Sequence, residues 1–146
     1  MIVVIDSNCL SASIGKGSRH RWLFDALRNR EFEFGISTDI IAEYEEHLET
    51  YYSLNLARNV TEGLLNSQNA ILVAPSFFWH LIEADHDDDK FVDCAVACQA
   101  DYLITFDRHF DVLKKIEFPK VNPVTPDEFY RILKNKDITP PPPHPR

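Results

Sequence analysis

The 146 residues, 45% hydrophobic and 26% charged, suit one globular domain. Fifteen Lys and Arg against 23 Asp and Glu leave a net charge of −8, which excludes a protein that binds nucleic acid simply as a polycation. No apolar run approaches the roughly 20 residues needed to cross a bilayer, and Met1 leads into a β-branched run without a basic flank or cleavage site. The expectation is therefore a cytoplasmic protein that does not enter the membrane. Cys9, Cys94 and Cys98 lack zinc-ligand spacing and are expected to be reduced and buried.

Residues 1–5, Met-Ile-Val-Val-Ile, stop at Asp6-Ser7-Asn8, the pattern of a strand buried on both faces that ends at a polar site. A loop through Gly15 and Gly17 follows, and Trp22, Leu23, Ala26 and Leu27 then recur at helical spacing, which predicts the first helix. Residues 32–36 alternate as a second strand. Ser37, Thr38 and Asp39 are all available to cap the helix that carries Ile40, Ile41, Tyr44 and Leu48. Leu54, Ala57, Val60, Leu64 and Leu65 predict a third helix, and residues 70–74 a third buried strand, stopped by Pro75. Phe91, Val92, Ala95 and Val96 mark a fourth helix, followed by a strand at 101–105 that leads to Asp107. A short strand at 121–124 precedes Thr125-Pro126, which opens a last helix to about residue 133. Strands alternating with helices predict a parallel sheet covered on both sides, a three-layer α/β/α sandwich. The domain spans 1–134; the proline-rich stretch 135–146 reads as an extended appendage, since proline lacks the donor and fixes φ.

Ligands of open parallel sheets bind outside the carboxyl ends of the strands, where Asp6 and Asp107 both fall. Right-handed crossovers bring the helix bearing Glu43 and the helix after Asp88 to the same edge. Each acid has a plainer reading: Asp6 and Asp107 as caps, Glu43 as part of the solvated face of Glu45, Glu46 and Glu49, and the run 85–93 as an acidic helix start. That run holds more acids than capping needs. Like charges gathered together cost free energy unless a cation neutralises them, and with no Lys or Arg counted among the motifs, the cluster points to a metal. All-oxygen ligands favour Mg²⁺ or Mn²⁺ over zinc. An aspartyl-phosphate enzyme would need a general acid where Asn8 stands, and a phospho-receiver would need an Asp in Val73-Ala74-Pro75-Ser76.

Val-Val-Ile-Asp-Ser-Asn-Cys-Leu at 3–10, Ser-Thr-Asp-Ile-Ile-Ala-Glu-Tyr at 37–44, Asp-His-Asp-Asp-Asp-Lys-Phe-Val-Asp-Cys-Ala at 85–95 and Ala-Asp-Tyr-Leu-Ile-Thr-Phe-Asp at 100–107 together resemble the PIN-domain family, most closely its toxin-type, VapC-like branch. The resemblance covers residues 1–134. It implies a metal-dependent endoribonuclease acting on single-stranded RNA, with Asp6, Glu43 and Asp107 as the first, second and last acids. The third acid is Asp88 or Asp89, with Asp93 one helical turn beyond Asp89. Asp6, Asp88, Asp93 and Asp107 are the expected metal ligands, and Glu43 or Asp93 the group free to take a proton from water. Asn8 and Thr105 match polar positions that hold Asp6 and Asp107, while His86 is read as exposed. By position beside Asp107, Arg108 and His109 are the first expected contacts to the RNA backbone, ahead of Arg19 and Arg21, whose helix also reads as a solvated face.

A small antitoxin that inserts a basic side chain among the acids is the expected partner. Trp22, Phe24, Tyr44, Tyr51 and Tyr52 are more aromatic than one core helix needs: core packing is the plainer reading of the set, and part of it is the expected seat of that partner or of a homodimer.

Overall fold

The computed structural model describes residues 1–135, so the predicted appendage lies, from residue 136 on, outside the described residues. Five parallel strands, β1 (Ile2–Ile5), β2 (Glu33–Ile36), β3 (Ala70–Leu72), β4 (Tyr102–Ile104) and β5 (Pro123–Val124), stand in the order β3-β2-β1-β4-β5. Helices α1 (Ser7–Ile14), α2 (Arg21–Arg28), α3 (Thr38–Tyr51), α4 (Leu54–Leu65), α5 (Asp89–Ala97) and α6 (Pro126–Lys134) cover the sheet in a three-layer α/β/α arrangement. Two 3-10 segments, His86–Asp88 and Arg108–Lys115, precede α5 and follow β4.

The central strand explains the opening sequence. Val3, Val4 and Ile5 are buried on a strand with neighbours on both sides, so no polar residue is tolerated until the strand ends. Each such side chain contributes roughly 1.5–3 kcal/mol by leaving water. The chain leaves β1 for β2 on one side and returns to β4 on the other, so a crevice opens at the carboxyl ends of β1 and β4. β3 corrects the expectation of a third buried strand: it pairs only with β2 at the sheet edge, and Leu72 is 65% exposed.

Local chemistry sets the helix starts. Ser37 Oγ accepts from Ile40 N, and Ser53 Oγ from Leu56 N. Thr125 and Glu128 form a reciprocal capping box with Pro126 in the first turn. Helix α1 was not foreseen. Its sequence, Ser-Asn-Cys-Leu-Ser-Ala-Ser-Ile, carries no charged face to set against an apolar one, and it packs against α2 and α3. Gly35 is required by close packing, because a Cβ there would lie 2.6 Å from Cys98 Sγ. The three cysteines are free and buried, as expected.

The predicted aromatic face divides. Tyr44 is core, its hydroxyl donating to the Ile5 carbonyl, and Trp22 packs on Phe129 and Tyr130. Tyr51 and Tyr52 alone of that set are exposed, at the end of α3.

Candidate active site

β1 delivers Asp6 to the crevice. Its N–H donates to Ile104 O at 2.9 Å, tying the end of β1 to the end of β4. Thr105 Oγ1 donates to Asp6 Oδ2 at 2.9 Å and accepts from Asp107 N at 2.9 Å, so one hydroxyl orients the first acid and the segment carrying the last. Asp107 Oδ1 accepts from His109 N at 2.8 Å and so also caps the 3-10 segment after it. Glu43, inside α3, accepts from Ser7 Oγ at 2.5 Å and from Lys90 Nζ at 2.9 Å. Asp88 holds the N-cap position of α5 but makes no capping bond, and its Oδ2 is buried without a hydrogen-bond partner among the described residues.

These four carboxylates sense one another. Burial pushes Asp6 up to about 6, against the pull of the Thr105 hydroxyl and with added repulsion from Glu43 and Asp107. Asp88 is pushed up to about 7, first by burial and then by the charges of Asp6, Asp85, Asp107 and Glu43. Ligating atoms of Asp88, Asp107 and His109 lie within 4.8 Å of one another. Asp6, Asn8, Glu43, His47 and Asp88 line an open cleft of about 330 Å³. Such a group is unfavourable fully ionised, and it relaxes either by taking protons or by taking a cation.

The structure brings Asp88, not Asp89, to this cleft. Asp89 is buried on another side, with Oδ1 accepting from Ile82 N at 2.9 Å and Oδ2 facing His86 Nδ1 at 3.0 Å. Successive helical residues point about 100° apart, and a residue one turn on follows its predecessor. Asp93 accordingly stays with Asp89: it is buried, its Oδ1 accepts from Trp79 N at 3.0 Å, and His80 and Asp89 are its charged neighbours. The cleft does not include it.

The premise that no basic residue stands among the motifs is corrected by Lys90, which reaches Glu43 from the first turn of α5. Its position two residues past Asp88, facing a helix rich in Glu, was the available signal. Ser7 was also missed, although it adjoins a predicted acid in the sequence, whereas His109, expected as a phosphate contact, sits against Asp107 with Nδ1 3.3 Å from Oδ1. Thr105 takes the expected positioning role, whereas Asn8 is exposed at the cleft wall. His86 is exposed, as expected. Arg19 pairs with Asp127 at 3.0 Å, and Arg21 with Asp25 at 3.0 Å and the Ile14 carbonyl, while Arg108 is exposed one residue beyond Asp107.

A search of curated proteins finds no match to the chain. A family profile described as PIN domain matches residues 2–109, a span that contains Asp6, Glu43, Asp88 and Asp107 and stops short of α6. With most of its length matched and a five-stranded parallel sheet that gathers the acids at its switch point, the chain belongs to the PIN-domain family, a nuclease-type fold.

Proposed function

We propose that this PIN domain is an endoribonuclease dependent on Mg²⁺ or Mn²⁺ that hydrolyses phosphodiester bonds of single-stranded RNA, with the cation held by Asp6, Asp88 and Asp107. One observation carries the reading: carboxylates from four separate segments meet at the sheet's switch point, and Asp88 Oδ2 is buried there with no hydrogen-bond partner among the described residues. Leaving a buried polar atom unsatisfied costs about 1–3 kcal/mol, so a filled state of the cleft is favoured. An oxygen donor set of this kind suits Mg²⁺ or Mn²⁺. When bound, the cation supplies Lewis acidity, offsetting charge that grows on the phosphoryl oxygens and acidifying a water molecule.

The chain's own groups supply the rest of the chemistry. Thr105 fixes Asp6, while Ser7 and Lys90 fix Glu43. Glu43 retains lone pairs beyond those two bonds and takes the proton of the attacking water. Arg108 meets the RNA backbone from its exposed position beside Asp107. Arg19 and Arg21 would each give up an aspartate to do the same and contribute less.

In this reading the protein is the toxin of a toxin–antitoxin pair and forms a homodimer, and its small antitoxin sets an Arg or Lys among the carboxylates. A second reading, a PIN-like protein that binds RNA or a partner without cutting, is favoured by the Lys90–Glu43 pair, since the cluster already carries a cation of its own. Metal-stripped protein mixed with single-stranded RNA of varied sequence separates the two. Cleavage that appears on adding Mn²⁺ or Mg²⁺ and disappears in Asp88→Asn supports the nuclease; RNA bound and left intact under every divalent ion supports the binder. Growth arrest on expression, relieved by a neighbouring small protein, tests the toxin role.

A further inference from the structure

One peptide bond from Asp88, a second set of ligating side chains gathers on Asp89. His86 Nδ1 lies 3.0 Å and His80 Nδ1 3.8 Å from Asp89 Oδ2, and the ligating atoms of all three residues fall within 4.8 Å of one another. A zinc ion bound at 2.0–2.1 Å with tetrahedral angles holds neighbouring ligand atoms about 3.4 Å apart, a value these two separations bracket. The carboxylate is already oriented, because its other oxygen accepts from Ile82 N at 2.9 Å, the kind of outer bond that fixes metal-binding carboxylates. Asp89 is buried, whereas the His80 and His86 rings are 71% and 68% exposed, which leaves an entry path and an open fourth position to solvent. Asp93, electrostatically in contact with Asp89 and His80, brings the local carboxylate charge to −2, matching a dication. His80 holds a left-handed backbone (φ 51°), which residues other than glycine seldom adopt.

We propose that His80, His86 and Asp89 form a transition-metal site, suited to Zn²⁺, that clamps the connection between β3 and α5 onto the first turn of α5. Two imidazoles with one carboxylate select a borderline metal, in contrast to the oxygen donors of the neighbouring cleft. The site stands on its own geometry and does not depend on whether the cleft cuts RNA. Its effect is structural: it fixes the peptide that carries Asp88, and with it one wall of the cleft.

The test uses the full chain, stripped with chelator and titrated with Zn²⁺ and, in parallel, with Co²⁺, whose visible absorption reports a four-coordinate site. A single strong site is expected, insensitive to millimolar Mg²⁺, raising the thermal midpoint and preserved in Asp6→Asn and His109→Gln. His80→Gln and His86→Gln alter exposed rings outside the core, so the metal-free midpoint should stay near wild type while zinc affinity falls at least tenfold. Unchanged affinity in both histidine variants, loss of the site in Asp6→Asn, or no binding at micromolar zinc would each overturn the proposal.

Discussion

Asp88 and Asp89 are adjacent in sequence yet belong to two different chemical settings. Asp88 looks into a cleft of other carboxylates, and its Oδ2 meets no donor among the described residues. Asp89 looks toward donors, with an N–H on one oxygen and imidazoles beside the other. The passage from the 3-10 segment that Asp88 closes into α5, which Asp89 opens, turns their side chains apart, and the surrounding groups supply the difference in what each can hold. A carboxylate left short of donors among like charges calls for a hard cation, whereas one already oriented and flanked by imidazoles suits a borderline metal.

The cleft acids have their largest expected effect in catalysis. Asp6→Asn or Asp88→Asn should lower RNA cleavage by roughly 10²–10³-fold, the range seen when one group that stabilises a charged transition state is removed. The metal-free protein should at the same time melt higher, because a repelled, desolvated charge is gone. Cleavage rates and thermal melts on the same preparations check both expectations.

Next in size comes pH. Native Asp6 titrates at about 6 against an ordinary 3.8, so between those values the folded protein holds more protons than the unfolded chain. Its contribution is fully present below the unfolded value and is lost as pH rises through about 6, a loss of at most about 3 kcal/mol. Asp88, at about 7, extends the decline upward. Urea midpoints in chelator should therefore fall from pH 5 to pH 8, less steeply in Asp6→Asn, and saturating Mn²⁺ should flatten the slope. A rise over that interval would contradict the burial of Asp6.

Smaller effects separate the two neighbours. Calorimetry should find Mn²⁺ affinity about tenfold weaker in Asp88→Asn, an interaction loss near 1.4 kcal/mol, and scarcely altered in Asp87→Asn or Asp93→Asn. Asp93→Ala should instead cost about 1 kcal/mol of stability by leaving the Trp79 N–H without its acceptor, with cleavage in place. Equal losses of Mn²⁺ affinity in all three would mean a diffuse acidic patch. Lys90→Met, the mildest of the series, should tighten Mn²⁺ binding a few-fold by freeing Glu43 from its cation.

Much of this arrangement was legible in the residues. Val3-Val4-Ile5 announced a strand buried on both faces, and the strand-end rule placed Asp6 and Asp107 together without coordinates. Rotation about α5 was not legible at the same level. Boundary errors of one residue at a helix start amount to a 100° error in direction, so Asp88, Asp89 and Asp93 could not be sorted by spacing alone. Lys90 escaped because a contact between α3 and α5 depends on how two helices lie across the sheet, which no local pattern encodes. Helix α1 escaped for want of amphipathic contrast, and β3 looked buried because apolar content does not distinguish a central strand from an edge.

Whether the Asp6–Glu43–Asp88–Asp107 cluster is a divalent-cation ribonuclease site is decided by following cleavage of one labelled single-stranded RNA by wild type and Asp88→Asn, each with chelator and with Mn²⁺. Cleavage by wild type with Mn²⁺ alone, at least 100-fold above the other three reactions, is the expected result. Equal cleavage by purified Asp88→Asn, or undiminished wild-type cleavage in chelator, would contradict it.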